Sequence, residues 1–448
     1  MSRYGLKMLS WADQDAKAKA ALLARPAIDF ASLAKSVAEI IQDVRKAKDS
    51  SVQALTLRFD RVSPSPYSYD AEAMAAALQN IDPGLAQALQ EAAGRIRAFH
   101  EADIPANRDI ETAPGLQCSV VYKPLDTVGL YVPGGSAPLV STVLMLAIPA
   151  QIAACREVII CSPPNQQGRV PDEILAAASL CGVSQVFCCG GAQAIAAMAY
   201  GTDQIPRCRK IFGPGNSWVT EAKQQVSQDP AGAAIDMPAG PSEVLVIADE
   251  AALQDNGAEL IAWDLLSQAE HGPDSQVLLL TDSPALAEAV IEQLDRLAPD
   301  SPRAEILEKS LASSRIILVP DLKTALDVSE QYAPEHLIVN TADAESLASQ
   351  VQQAGSVFIG RWTPESLGDY CSGPNHVLPT YGWARSHGAL GVTDYLRRMT
   401  LQQASASALQ QVGPCAETLA GFEGLDAHRM AVRSRLDQIN AQDAEISQ

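Results

Sequence analysis

The segment Thr127–Cys155, TVGLYVPGGSAPLVSTVLMLAIPAQIAAC, contains no charged residue and is long enough to span a bilayer. Pro133, Pro138 and Pro149 interrupt it, however, so a strand, a glycine turn and a buried helix describe it better. The segment Ile174–Thr202 is also uncharged and is interrupted by glycines. We therefore predict that both segments are buried parts of one α/β lobe and that neither crosses a membrane.

The same strand-then-helix pattern recurs on both sides of these segments. Repeated units of this kind favour parallel sheets that are covered by helices on both faces. Two series of units predict an α/β fold with two Rossmann-like, doubly wound lobes. The predicted strands are Val128–Val132, Val158–Cys161, Val186–Cys189, Lys210–Phe212, Val244–Ala248, Val277–Leu280, Ile316–Val319, Leu337–Val339 and Val357–Ile359.

Both ends of the chain are predicted to be helical arms. Apolar residues occur at helical spacing within the first hundred residues and again beyond Pro379. Pro26 ends or bends the opening helix. In the C-terminal segment the predicted buried positions are Leu419, Leu425, Met430, Leu436 and Ile439.

The composition excludes several classes of partner. The chain has 448 residues with 33 basic and 53 acidic side chains, so its formal net charge is −20. Phosphate groups would be repelled, which argues against nucleic acids and anionic membranes. The charge only weakly favours a cationic small molecule. Nine cysteines without a Cys-x-x-Cys pair are typical of free thiols in a reducing compartment, so we expect a cytoplasmic protein.

Three glycine-rich turns follow predicted strands, at Pro133–Ser136, Gly190–Gln193 and Gly213–Asn216. Such turns let a phosphate approach the backbone at a helix N-terminus, although none completes the G-x-G-x-x-G fingerprint. A nucleotide site and simple tight turns both remain open. The polar side chains placed there could contact a nucleotide or cap helices; they are Tyr131, Gln193 and Asn216.

The helix around Leu260–Glu270 is apolar on most of its surface, yet it carries one polar stripe. Buried polar groups need partners, so either a functional site or an internal hydrogen-bond network would explain the stripe. Its members are Asp264, Ser267, Gln268 and His271.

The histidines supply further candidates for chemistry. Glu335 and His336 precede a predicted strand and could act as general base and acid, or form a hydrogen-bonded pair at the strand end. Imidazole and carboxylate groups suit zinc, although the available ones show no spacing signature. These candidate ligands are His271, Asp369 and His428.

Six sequence blocks resemble those of histidinol dehydrogenases, in order, over about residues 10–440. They are YVPGGSAP (131–138), FGPGN (212–216), DMPAGPSE (236–243), SQAEHGPDS (267–275), PEHL (334–337) and NHVLPT (375–380). The resemblance implies a zinc- and NAD-dependent homodimer that oxidises L-histidinol to L-histidine through histidinaldehyde, in the last step of histidine biosynthesis.

The resemblance also implies roles for individual residues. His336 would act as the base and Glu335 would activate water. Tyr131, Gln193 and Asn216 would contact NAD. One zinc ion per subunit would be held by Gln268, His271 and Asp369 of one subunit and His428 of the other. The substrate would be bound by Ser242, Gln268, His271, His336, Asp369, His376, Glu423 and His428.

In the family the second lobe is inserted into the first. The implied domains are an N-terminal arm (1–30), a discontinuous first lobe (31–110 and 241–380), an inserted lobe with the cofactor turns (111–240) and a C-terminal arm (381–448). Three alternatives remain: a paralogue that oxidises another small alcohol such as a sulfonated diol, cysteine catalysis through a thiohemiacetal, and a non-catalytic two-lobed binding protein.

Overall fold

A computed structural model describes residues 4, 6–26, 30–134, 138–238 and 240–446. Its strands are β1 (Lys7–Ser10), β2 (Ser68–Tyr69), β3 (Arg108–Ala113), β4 (Leu116–Pro124), β5 (Thr127–Tyr131), β6 (Glu157–Ser162), β7 (Gln185–Cys188), β8 (Lys210–Phe212), β9 (Ala234–Ile235), β10 (Glu243–Ala248), β11 (Gln276–Thr281), β12 (Arg315–Leu318), β13 (His336–Asn340), β14 (Ser356–Ile359) and β15 (Leu396–Ala404). Its helices are α1 (Ala16–Leu22), α2 (Phe30–Asp60), α3 (Ala71–Asn80), α4 (Pro83–Ala102), α5 (Val140–Ile152), α6 (Asp172–Leu180), α7 (Gly191–Tyr200), α8 (Ser217–Gln228), α9 (Gly257–Ala269), α10 (Pro284–Leu297), α11 (Ala304–Ala312), α12 (Leu322–Tyr332), α13 (Ala344–Ala348), α14 (Glu365–Tyr370), α15 (Ala406–Phe422) and α16 (Asp426–Ile446). None of these described helices is long and apolar enough to span a bilayer.

The chain divides into two units, one formed by Met1–Asp103 and Leu125–Tyr395 and the other by Ile104–Pro124 and Leu396–Gln448. The first unit contains two six-stranded sheets. One has the order β1-β12-β11-β10-β13-β14 and is parallel throughout. The other has the order β2-β7-β6-β5-β8-β9 and is parallel except for the pair β2–β7. These sheets confirm the predicted α/β class.

All nine predicted strands form, and their boundaries agree with the sequence analysis to within one residue. Most of them are easy to recognise because they are buried on both faces and therefore read as continuous apolar runs. The edge strand β14 is less buried, and Ile359 at its end is 42% exposed. Along β10, Val244 and Val246 enter the core on one side of the first sheet, whereas Leu245 and Ile247 enter the core on the other. The uncharged segment after β5 forms α5, which is buried along most of its length.

The helices between residues 30 and 102, which the sequence analysis placed with the first lobe, pack on the second sheet instead. Helix α2 packs on α7 and α8, α3 on α6, and α4 on α5. Val37 and Val44 share a core with Ile159 and Phe187. Strand β1, from the predicted N-terminal arm, pairs with β12 in the first sheet. Periodicity shows which face of a helix is buried but does not identify the surface that covers it. The domain boundaries given in the sequence analysis stay predictions.

The second unit combines an antiparallel sheet of order β15-β4-β3 with α15 and α16. Strand β15 lies in a region that was predicted to be helical, and it pairs with β4 along its whole length. The sequence missed this sheet because most of its side chains are exposed, so no apolar run marks it.

The C-terminal helices are confirmed, but three of their predicted buried positions are exposed in the single chain. Leu436 is buried against Gly413 where α15 and α16 pack together. Leu419, Leu425 and Met430 are 58%, 43% and 43% exposed in this chain. The two helices cover each other along one seam only, so the apolar side chains beyond that seam face outward.

Candidate active site

The carboxyl edge of the second sheet carries a cavity of about 530 Å³, called here the first cavity. Tyr131 ends β5, and the turns after β7 and β8 bring Gln193 and Asn216 to the same edge. All three of these residues line the first cavity. The chain order reverses between β5 and β8, and open α/β sheets bind ligands at such a switch point. The structure thus places the three predicted nucleotide contacts together.

The turn Gly190–Gln193 positions two of these side chains. The Tyr131 hydroxyl accepts a hydrogen bond of 3.0 Å from the N–H of Gly191. Gly191 has a φ of +67°, and a Cβ atom there would lie 2.8 Å from Gln193 Oε1. Glycine therefore permits both the left-handed turn and the buried position of Gln193.

The turn Gly213–Asn216 ends in a helix cap. Asn216 Oδ1 accepts hydrogen bonds from the N–H groups of Trp218 at 3.1 Å and Val219 at 3.2 Å. Asn216 therefore caps α8, which is one of the two roles that the sequence left open. The amide nitrogen of Asn216 can still donate to a ligand, because capping uses the oxygen.

A buried ion pair holds this turn in place. Lys223 Nζ lies 2.5 Å from Asp236 Oδ1 and donates to the carbonyl oxygen of Gly213 at 2.8 Å. Asp236 Oδ2 accepts from the N–H of Gly213 at 2.7 Å. Both charges are almost fully buried, so the loss of either would leave the other without compensation. In the first of the three glycine turns, residues 135–137 lie outside the described residues.

A second cavity of about 380 Å³ shares Asn216 with the first. It extends to the amino edge of the first sheet, where β10 and β13 begin. Among the predicted site residues it is lined by Ser242, His271, Glu335 and His376. The structure therefore connects the predicted cofactor residues with predicted substrate residues through one shared side chain.

The main chain of Glu243 holds the predicted catalytic pair. Its N–H donates to Glu335 Oε2 at 2.9 Å, and its carbonyl oxygen lies 3.2 Å from His336 Nδ1. Since a carbonyl only accepts, His336 Nδ1 carries a proton in this contact. His336 Nε2 is buried and has no hydrogen-bond partner among the described residues; Asp369 Oδ1 is 3.6 Å away.

The buried carboxyl groups change the acid–base properties of this pair. Burial raises the pKa of Glu335 to about 8. Burial alone would lower the pKa of His336, but the charges of Glu335, Glu365 and Asp369 outweigh it and raise this pKa to about 10. Groups with such displaced pKa values in a cleft are typical of catalytic sites.

Three of the predicted zinc ligands gather beside this pair. Gln268 lies in the last turn of α9, and His271 is two residues beyond the end of that helix. With its amide oriented to satisfy its neighbours, Gln268 Nε2 donates to Glu365 Oε1 at 2.6 Å and to His271 Nδ1 at 3.0 Å. Asp369 is near His271. The main-chain carbonyl oxygen of Asp369 lies 2.8 Å from His376 Nδ1.

This donor set has the chemistry of a zinc site. Partial desolvation lowers the pKa of His271, which favours the neutral imidazole that binds metal. The nearby histidines lower the pKa of Asp369 against the effect of burial, so its carboxylate is ionised. Within the described ranges, no three His, Cys, Asp or Glu side chains form a metal group by themselves. A zinc site here therefore needs the Gln268 amide and a further ligand.

Glu423 and His428 belong to the second unit. Glu423 follows the last residue of α15, and His428 lies in the first turn of α16. Both are exposed in this chain.

The polar stripe of α9 proves to be part of an internal network as well as a candidate site. Ser267 Oγ donates to the carbonyl oxygen of Asp264 at 2.8 Å and to Glu365 Oε1 at 3.4 Å. Burial raises the pKa of Asp264 to about 7. Glu365, which is fully buried, escaped the sequence analysis because it lies almost a hundred residues away on α14.

Arg25 is a second residue that the sequence did not reveal. It binds Glu243 with two hydrogen bonds, of 2.5 and 2.7 Å, and also donates to the carbonyl oxygen of Tyr332. Its guanidinium stacks on the Tyr332 ring at 3.9 Å, and the Tyr332 hydroxyl donates to Glu243 Oε2. The N-terminal segment thus fixes the residue that holds Glu335 and His336. No local pattern marks an arginine that acts over this sequence distance.

Comparisons with known proteins agree on one family. The family model described as histidinol dehydrogenase matches residues 23–436. The histidinol dehydrogenase of Vibrio cholerae serotype O1 is 50% identical over 435 residues, covering 97% of this chain and 99% of that protein. That of Xylella fastidiosa strain Temecula1 is 52% identical over 433 residues, covering 96% and 99%. The crystal structure of histidinol dehydrogenase from Elizabethkingia anophelis superposes with a TM-score of 0.92 at 39% identity, covering 98% of this chain and 99% of that one.

We expect Arg25→Met to lower the free energy of unfolding by about 3–5 kcal/mol, because it leaves the buried Glu243 carboxylate uncompensated. The matched control is Arg45→Met, which removes an ion pair to Asp229 whose side chains are 47% and 28% exposed. That change should cost less than about 1 kcal/mol. Urea denaturation measures both, and equal losses in the two variants would contradict the role of Arg25.

Proposed function

Because the chain belongs to the histidinol dehydrogenase family of oxidoreductases, we propose that it oxidises L-histidinol to L-histidine with two NAD, through histidinaldehyde. This is the last step of histidine biosynthesis. The observation that supports it best is the pair of cavities that share Asn216, one lined by the predicted cofactor residues and one by Glu335 together with the predicted substrate residues Ser242, His271 and His376.

The two cavities suit the two halves of NAD. The first is lined by flat apolar groups that include Phe59 and Trp218, which suit the adenine base. The second is lined by Glu335, so we assign hydride transfer to it. We propose that NAD crosses from one cavity to the other past Asn216, with the nicotinamide beside the substrate. Tyr131 and Gln193 would contact the adenosine half.

His336 serves as the base of the first oxidation in this proposal. The bond from Nδ1 to the Glu243 carbonyl oxygen leaves Nε2 to accept the alcohol proton, while the carbinol carbon transfers hydride to NAD. The products of this step are the aldehyde, NADH and a proton. Holding both reactants in one enclosed site supplies much of the rate enhancement.

Glu335 serves the second oxidation. Its pKa of about 8 lets the carboxyl exchange a proton with water near neutral pH. Water adds to the aldehyde to give a hydrate, which loses a proton and transfers hydride to the second NAD. The carbon is thereby oxidised to the carboxylic acid, and each NAD is reduced to NADH.

We propose that Gln268, His271 and Asp369 hold zinc together with His428 of a second subunit. When bound, the cation supplies positive charge that orients the nitrogen atoms of the substrate and disfavours a proton on His336. Ser242 and His376 would hold the substrate from the second cavity, and Glu423 would pair with its ammonium group.

A homodimer explains the exposed apolar side chains of the second unit. Leu419 and Phe422 on α15 are 58% and 91% exposed, and Leu425 and Met430 lie nearby in the sequence. Such side chains are normally covered. We propose that a second copy covers them and that its α16 carries His428 to the shared site.

Thiohemiacetal catalysis receives no support from the cavities. All nine cysteines are free thiols, and no cysteine is among the described residues that line either cavity. Burial raises the pKa of Cys181 and Cys188 to about 12, which suppresses their thiolates. Free thiols fit the proposed cytoplasmic location.

The substrate assignment is tested by NADH formation with L-histidinol and with dihydroxypropane sulfonate, together with the zinc content of the purified protein. We expect two NADH per histidinol, about one zinc per subunit, and no turnover of the sulfonate. Turnover of the sulfonate alone would establish a paralogue. A metal-free protein that is silent with both alcohols would indicate a binding protein instead.

His336→Asn should abolish oxidation while the zinc content stays near that of the wild type, because His336 is not in the proposed ligand set. The comparison variant His271→Asn should lose zinc as well as activity. Absorbance at 340 nm and metal analysis measure the two properties. Loss of zinc with activity retained in His336→Asn would refute its role as the base.

Subunit sharing predicts complementation between two inactive variants. Asp369→Ala and His428→Ala should each be inactive, yet refolding them together should restore some activity, since one site of each heterodimer regains all of its ligands. Refolding each variant alone supplies the control. If the mixture stays at the level of the separate variants, each subunit contains its own complete site.

A further inference from the structure

Asp60 is a carboxylate in the first cavity to which neither the sequence nor the family resemblance gave a role. It is the last residue of α2 and lines the cavity together with Phe59, Tyr131 and Gln193. Its Oδ2 atom is buried and has no hydrogen-bond partner among the described residues. A buried carboxylate oxygen without a donor is unfavourable, so it marks a position where a ligand can supply one.

The electrostatic surroundings agree with an unsatisfied group. Burial raises the pKa of Asp60, because its carboxylate loses water and the surrounding groups do not fully compensate that loss. Burial also raises the pKa of Tyr131, and the charge of Asp60 adds to that effect. Asp60 therefore lies near the phenol group of Tyr131, whose oxygen accepts a hydrogen bond from the N–H of Gly191. This is the end of the cavity that is formed by the turn after β7.

The rest of the cavity indicates the class of donor. Phe59, adjacent to Asp60 in the chain, is 46% exposed, and Trp218 is 36% exposed. Exposed aromatic faces suit a planar base, and the group attached to an adenine base is a ribose with two hydroxyl donors. In dinucleotide-binding folds an acidic side chain commonly accepts hydrogen bonds from this diol. A negative charge at that point also repels a 2′-phosphate.

We propose that Asp60 is a specificity-determining residue that accepts hydrogen bonds from the adenosine ribose of NAD and excludes cofactors with a 2′-phosphate. This inference rests on the proposed function only in requiring that the first cavity binds the adenosine half. Asp60 reaches the cavity from a helix that precedes the second sheet in the chain. The usual fingerprint places its acidic residue about twenty residues after the glycine turn, so it cannot find Asp60.

The test measures binding of ADP-ribose and of its 2′-phosphate by calorimetry, without substrate or turnover. Asp60→Asn keeps the size of the side chain and removes its charge. We expect it to weaken ADP-ribose binding by about tenfold and to lower the preference for ADP-ribose over the 2′-phosphate by about a hundredfold, since attraction and repulsion are both lost. Asp43→Asn, at an exposed position of α2 before the kink at Lys48, should leave both affinities unchanged.

A second variant separates recognition from folding. Asp60→Glu keeps the charge but moves the carboxylate by one methylene, so it should weaken ADP-ribose binding while still rejecting the 2′-phosphate. A purely structural Asp60 would lower the unfolding temperature in both variants and leave the preference of the folded fraction unchanged, which would overturn the proposal.

The wild-type protein distinguishes the two proposals. If it binds ADP-ribose and Asp60→Asn binds both ligands with wild-type affinities, the Asp60 assignment is wrong and the cofactor site stands. If the wild type binds neither ADP-ribose nor NAD, the proposed cofactor site fails, and the Asp60 assignment fails with it.

Discussion

The main-chain groups of Glu243, at the first residue of β10, are the contact on which the active site depends. One peptide N–H holds the Glu335 carboxylate, and the carbonyl oxygen of the same residue fixes a proton on His336 Nδ1. The side chain of Glu243 is bound in turn by Arg25 and Tyr332. Because a strand in the middle of a parallel sheet cannot shift without breaking its ladder, the pair is oriented by backbone rather than by flexible side chains.

The two sheets contribute opposite edges. In the second sheet the polar residues follow the strands, at the carboxyl edge, where the switch point and the glycine turns border the first cavity. In the first sheet the proposed catalytic pair lies at the amino edge, where β10 and β13 begin. The cavities at these edges share Asn216. In the proposed function, this division would let one sheet hold the cofactor while the other holds the groups that move protons.

A high density of buried carboxyl groups accompanies this arrangement. Glu335, Glu365 and Asp264 all have raised pKa values because burial disfavours their charged forms, and the charges of Glu335, Glu365 and Asp369 raise the pKa of His336. Such a cluster destabilises the folded protein unless cations or hydrogen-bond donors compensate the buried carboxyl groups. The proposed zinc ion, the ammonium group of histidinol and the ribose diol at Asp60 would each compensate one part of the acidic surface of the two cavities.

The sequence by itself determined the fold class, the nine buried strands and the turns that carry Tyr131, Gln193 and Asn216, because continuous apolar runs and glycine turns are local signals. It failed for β15, whose exposed side chains leave no such signal, and for the helices of residues 30–102, whose periodicity does not name the sheet they cover. Only the tertiary structure decided that Arg25, Glu243 and Glu365 lie around the proposed catalytic pair and that Asp60 lines the first cavity. These contacts join residues far apart in the chain, so they form only when folding brings the side chains together and removes the water around them.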